Sequence, residues 1–278
     1  MYRNAQVALL TQHGKQRVIA PVLVTSLSCR ITPVDGFDTD SLGTFTRDIP
    51  RAGKQLEAAR KKARIGMELS GLPLGLASEG AFGTDPFAGL FPWNVEMIVF
   101  FDAQRDLEIM GTAQGKASFA HLLRNRWEDV EAFARKMEFP QQQLVIRPET
   151  ENDPRLRKGI ASWQELETAF AWAVSQSANG QVFVETDGRA HANPTRMDTI
   201  GLAAEYLVKK LLSLCPACGT PGYWIVDRIA GLPCAMCGEP TRETSAEIYQ
   251  CRKCNHREER SITERPYADP GCCDVCNP

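Results

Sequence analysis

Cys215-Pro216-Ala217-Cys218, Cys234-Ala235-Met236-Cys237, Cys251-Arg252-Lys253-Cys254 and Cys273-Asp274-Val275-Cys276 repeat one pattern through the last quarter of the chain. Two sulfurs three residues apart converge on one ion from a tight turn. Four thiolates then close a tetrahedron at about 2.3 Å and leave no position for water. Read in order, the spacings are C-x2-C-x15-C-x2-C and C-x2-C-x18-C-x2-C, both within the range of structural zinc sites. Interleaving, first pair with third and second with fourth, uses the same residues, and Cys272 or His256 offers a substitute ligand. The expectation is therefore tandem zinc ribbons over 215–278, holding two structural zinc ions on Cys215, Cys218, Cys234, Cys237, Cys251, Cys254, Cys273 and Cys276. Pro216, Gly219 and Gly238 favour the turns. A redox dithiol needs one such pair beside a helix start, and a disulfide scaffold would spread through the chain and need export.

The tail carries seven Lys/Arg and nine Asp/Glu. Each four-thiolate zinc site adds about −2, bringing the tail to about −6. Phosphate contacts are the work of Lys and Arg, so this balance argues against direct nucleic-acid binding by the tail. A protein partner is the alternative use of such a module.

Outward from the tail, the composition is that of an ordinary globular protein: 278 residues, 43% hydrophobic, 24% charged, net charge −2. That balance sets up no field toward nucleic acid or an anionic membrane. No apolar run approaches the ~20 residues of a membrane span, and the N-terminus lacks a signal-peptide pattern. With cysteines in metal-type pairs, the expected location is the cytoplasm.

Residues 1–214 read as an α/β main domain, a layered sheet with helices. Strands are expected at Val7–Leu10, Leu74–Ala77, Leu144–Ile146 and Val182–Val184, with a hairpin of Val95–Phe101 and Leu107–Met110. Helices are expected over 52–70 (stopped by Gly71), 118–138, from the Ser162-Trp-Gln-Glu165 capping box onward, and from Thr195 to Leu211. The segment 17–27, with Pro21, reads as either helix or extended chain. Residues 37–51 read as a loop, and 148–158 as a linker or exposed loop.

Three stretches hold more polar chemistry than a scaffold needs. Phe37–Arg51 gathers carboxylates, hydroxyls and arginines, with Asp40 and Arg51 as candidate ligand residues. Gly75-Leu-Ala-Ser-Glu-Gly-Ala-Phe-Gly83 delivers Glu79 between small residues, where a carboxylate can hold a metal or take a proton. Val184–Arg196 places Glu185, Asp187, Arg189, His191, Asn193 and Arg196 between a strand end and a helix start, a place where open α/β sheets bind ligands and a helix terminus favours an anion. Glu79 and Asp187 are the candidate catalytic carboxylates. The three stretches are expected to line one pocket.

Together with the CPxCG and LPCxxCG knuckles and the terminal Cys-Asn-Pro, these stretches resemble a bacterial family designated only as a domain of unknown function (6671). A second resemblance covers residues 1–111. Ala8-Leu-Leu-Thr-Gln-His-Gly-Lys15, Ala59-Arg-Lys-Lys-Ala63 and Ser70-Gly-Leu-Pro-Leu-Gly-Leu-Ala-Ser-Glu-Gly80 are similar to inosine-triphosphate pyrophosphatases. That resemblance implies a nucleotide-pyrophosphatase-like hydrolase with Lys15 and Arg60 on phosphate and Glu79 serving magnesium. It departs from that family in keeping one acid, Glu79, and in having His13 where Asn is usual.

The expected function is thus a zinc-binding cytoplasmic enzyme or sensor for a small anionic, nucleotide-like ligand. The alternative is a non-catalytic adaptor whose zinc tail docks a protein.

Overall fold

The computed structural model describes residues 1–42, 53–262 and 265–278. It divides into two units, Met1–Val208 and Lys209–Pro278. The described residues form an α/β structure with three sheets and five α-helices.

In the first unit, β1 (Gln6–Leu10) leads through α1 (Gln16–Leu27) to β2 (Arg30–Val34). The chain returns through α2 (Gln55–Ser70) to β3 (Leu74–Thr84), followed by β4 (Pro92–Asp102) and β5 (Leu107–Lys116). The strand order is β2-β1-β3-β4-β5. β1 is parallel to both its neighbours, and the β3–β4–β5 meander is antiparallel. Successive connections leave β1 in opposite directions, so the strand order reverses there. The space past the carboxyl end of β1, beside the part of β3 that continues beyond it, is the topological switch point where such sheets take ligands.

The two faces of this sheet are covered by different helices. A methyl group at Gly75 would strike Met67 and Ala63 of α2. One at Gly111 would strike the backbone of α5 (Pro194–Leu212) at Ala203 and Leu207. Under α2, Ala8, Leu10 and Val34 form a core with Ile65 and Leu72.

β3 and β4 are longer than their apolar cores suggest, because their polar halves pair with each other. β1 meets β3 only at Gly75 and Leu76. From Ala77 to Thr84 the β3–β4–β5 meander therefore runs on past β1 for about 25 Å at ~3.3 Å per residue. Glu79 thus lies within a strand, not in a turn after one. The segment 17–27 is helical despite Pro21.

The second sheet has the order β6-β9-β7-β8, all antiparallel. It comprises β6 (His121–Arg124), β7 (Leu144–Pro148), β8 (Arg157–Ile160) and β9 (Val182–Thr186). α3 (Trp127–Lys136) and α4 (Trp163–Gln176) close its core over Leu144, Ile146, Val182 and Val184.

One expectation fails here. The helix expected over 118–138 is confined to Trp127–Lys136, because His121–Arg124 pairs with Val182–Glu185 as an edge strand and tertiary pairing outweighs local propensity. The segment read as a linker or exposed loop, 148–158, is a mostly exposed loop over 149–156 that joins β7 to β8 and is anchored at one point. Buried Asp153 accepts from Arg155, and its carbonyl accepts from Arg147 Nη1 at 2.8 Å. The capping box holds, with Ser162 Oγ accepting from Glu165 N.

The second unit contains one antiparallel meander, β10 (Trp224–Ala230), β11 (Thr244–Gln250) and β12 (Arg257–Ser261). Among the described residues no helix is long and apolar enough to cross a membrane.

Candidate functional site: a buried charge cluster and two four-cysteine centres

The β1–α1 loop turns at His13 and Gly14, both at positive φ (64° and 70°), and delivers Lys15 to the start of α1. α1 has no side-chain cap and no acidic residue in its first turn, so the positive end of its dipole is not offset locally. Lys15 is 6% exposed, and its Nζ donates to the carbonyl of Ser78 on β3 at 3.2 Å. Strand alternation sends Glu79 to the α2 face, where Lys62 Nζ meets its Oε2 at 2.6 Å. Glu96 on β4, paired in register with Gly80, points to the opposite face. There Arg196 Nε donates to Glu96 Oε1 at 2.6 Å, with both side chains buried, and Arg196 Nη1 donates to the carbonyl of Gly188 at 2.6 Å. Gly80 has no side chain because a Cβ would collide with this pair.

Lys15 reaches from the start of α1 past the end of β1 to the middle of β3. Its pKa is lowered from 10.5 to about 8, first by burial and then by Arg196 and Lys62, with Glu79 and Glu96 opposing. Three cations and two carboxylates therefore share one buried place. Exposed His191 stacks its ring on His13, in the loop that carries Lys15, at 5.1 Å. Beside Arg196, Phe82 and Phe119 stack at 4.9 Å.

Of the residues singled out from sequence, the structure brings Lys15, Glu79 and Arg196 into this cluster, and His191 to the loop that carries Lys15. Other candidates have different partners. Arg60 forms a bidentate pair with Glu108. Asp187 is fully buried against Arg189 at 2.6 Å and accepts from Gly159 N. Glu185 lies 3.5 Å from Arg147. Asn193 caps α5, its Oδ1 accepting from Arg196 N at 3.0 Å, and its Nδ2 donates to the carbonyl of Ser118. Arg51 and the side chain of Asp40 lie outside the described residues.

The magnesium implied for Glu79 finds no support. Its neighbours are cations, and among the described residues the only groups of three or more metal-type ligands are cysteine sets. Sequence reading missed Lys62 and Glu96 as members. The signal for Glu96 was present: an acid between Val95 and Met97 at the head of an apolar strand must find a partner when buried.

In the second unit the cysteines gather as Cys215, Cys218, Cys251 and Cys254, and as Cys234, Cys237, Cys273 and Cys276. The pairing is interleaved, and strand direction dictates it. In an antiparallel meander, the start of β10 lies at the same end as the β11–β12 turn. The β10–β11 turn lies at the other end, together with the exit from β12. Sequential pairing would ask knuckles at opposite ends of the sheet to share an ion.

The closest sulfur pairs are 3.6 to 3.8 Å apart, matching the edge of about 3.8 Å in a tetrahedron with 2.3 Å zinc–sulfur bonds. All four knuckles are built alike. The amide after each second cysteine donates to the carbonyl of the first: Gly219, Gly238, Asn255 and Asn277, at 2.8 to 3.0 Å. Positive φ at Gly219, Gly238 and Asn255 explains Gly or Asn there. Cys218 is drawn down to about 6, chiefly by hydrogen bonding with Thr220, whereas Cys276 is pushed up to about 12, first by its hydrogen bond with Cys237. A dication would allow all four thiols of a set to ionise together. His256 and Cys272 belong to neither set; the His256 ring lies on Tyr223 at 5.8 Å, and Cys272 is exposed.

These knuckles fall within the region, residues 62–278, that matches the family model described as a domain of unknown function, DUF6671. The chain belongs to the DUF6671 family. No curated protein matches the chain, so nothing in these comparisons supports the resemblance of residues 1–111 to inosine-triphosphate pyrophosphatases. In this DUF6671 chain the two four-cysteine groups fit two zinc sites.

Proposed function

We propose that this DUF6671 protein is a cytoplasmic enzyme or sensor that takes a small anionic, nucleotide-like ligand past the carboxyl end of β1, where Lys15 opens α1, with zinc as a structural element of the tail. One observation carries the reading. Buried Lys15 donates to the Ser78 carbonyl beside the Lys62–Glu79 and Arg196–Glu96 ion pairs, and burying a charge is costly unless a counter-ion shares it. An anion seated by Lys15 and the open start of α1 would balance that cluster. Flat faces nearby, His13 on His191 and Phe82 on Phe119, suit a ligand with a planar ring. Ten cysteines without a disulfide suit a reducing compartment.

The test is a thermal-shift panel of inorganic phosphate, pyrophosphate and nucleoside mono-, di- and triphosphates. Stabilisation by a phosphate-bearing compound, lost in Lys15→Met, is the expected result. A panel with no response, or an equal response in the variant, refutes the reading.

The second reading is a non-catalytic adaptor docking a protein through the tail. It is favoured by Met236 and Val275, 74% and 67% exposed on two knuckles of the same cysteine set. It predicts that Met236→Ser impairs partner capture while ligand response is absent from the start.

A further inference from the structure

Each strand of the β10–β12 sheet joins a cysteine of one set to a cysteine of the other. β10 runs between Cys218 and Cys234, β11 between Cys237 and Cys251, and β12 between Cys254 and Cys273. The two centres stand at opposite ends of the same three strands, roughly 20 Å apart for strands of seven residues. Neither centre has a strand of its own.

The core between them is thin. Cys215, Tyr223 and Cys251 cluster with Tyr249, and Ala246, Ile248, Leu232 and Ala268 add little more. A unit of about 70 residues with so small a core depends on staples for its stability. The strand edges do not supply them: β12 is mostly charged, and β10 is interrupted by two register shifts.

We infer that the two zinc centres are coupled, so that the tail binds zinc as an all-or-none pair. The inference rests on the zinc reading of the cysteine sets. The first ion must align β10 with both β11 and β12 to bring its four sulfurs together. That alignment also brings the knuckles of the second set into register at the far end. The ordering entropy is spent once, and the second ion binds a site already assembled. The same holds in the other direction, because coupling is reciprocal. The tail would then respond to zinc over a narrow concentration range, unlike two separate ribbons.

The experiment is native mass spectrometry of the full chain, reduced and metal-free, during titration with zinc ion. A coupling of about a hundredfold leaves about a tenth of the chain in the one-zinc form at half-saturation, whereas independent equal sites leave about half. Cys218→Ser and Cys237→Ser, each damaging one set, are expected to weaken zinc binding at the intact set by about tenfold in chelator competition, the square root of the hundredfold coupling, because the wild-type midpoint averages the two binding steps. A one-zinc species holding half the chain or more overturns the coupling, as does an intact set that keeps its wild-type affinity. No zinc uptake at all overturns the zinc reading itself and is distinguished by the absence of both bound forms.

Discussion

Replacing Arg196 by Met separates what the buried charge cluster contributes from what surrounds it. The Arg196 and Glu96 side chains are 1% and 0% exposed. Losing the guanidinium leaves Glu96 buried without its cation, a change that costs about 3–5 kcal/mol. The bond from Nη1 to the Gly188 carbonyl goes too, adding roughly 1–2 kcal/mol for a charge-assisted hydrogen bond. The total is a large part of a net stability of about 5–15 kcal/mol. For a unit of this size, each kcal/mol moves the midpoint by about 2–4 °C, so the expected fall is on the order of 10–20 °C. Glu96→Met alone strands the arginine and is expected to cost a similar amount. The double variant removes both charges and keeps most of the volume, and it is expected to recover at least about 2 kcal/mol relative to the sum of the singles. Denaturant titration of the four proteins closes the cycle. Single variants within about 0.5 kcal/mol of wild type, or an additive double, would refute the claim that the two charges hold each other in the interior.

Metal analysis of the purified chain is expected to give two zinc equivalents, and Cys29→Ala to leave that number unchanged, since Cys29 lies in neither set. Gly111→Val is expected to destabilise the first unit by about 1–3 kcal/mol in thermal melts, because the sheet meets the α5 backbone there without room for a side chain. Lys15 gives a pH signature. With its pKa near 8 in the fold against 10.5 when exposed, the unfolded chain holds more protons between those values, so stability rises with pH across that window and the penalty persists in full below it. Lys15→Met is expected to abolish that rise in pH-dependent melts. Anion affinity is expected to move the opposite way, falling above about pH 8 as the ammonium is lost.

Much of this was legible in the sequence. The knuckles carry their own geometry, since Gly or Asn after the second cysteine is what a left-handed turn demands. Which knuckles share an ion was not legible, because both frames satisfy the spacing and only the direction of β10, β11 and β12 decides. In the first unit, Lys15, Glu79 and Arg196 stood out because charge sat beside small residues and element ends. Lys62 did not, because a lysine on a basic helix reads as surface until the strand opposite it is known. Asp187 and Asn193 stood out for the same reason as Arg196, yet one is neutralised by Arg189 and the other caps α5. Local pattern marks a polar residue that needs a partner and does not say whether that partner is protein or ligand. The strand at His121–Arg124 was hidden because its pairing partner lies some 60 residues away on β9, beyond the reach of propensity.

The most direct measurement of the proposed function is a crystal structure of the chain soaked with a nucleoside diphosphate. The account predicts phosphate density within hydrogen-bonding distance of Lys15 and the first turn of α1, with Arg196 or His191 beside it. Density bound elsewhere with that place empty, or no bound ligand at saturating concentration, would contradict it.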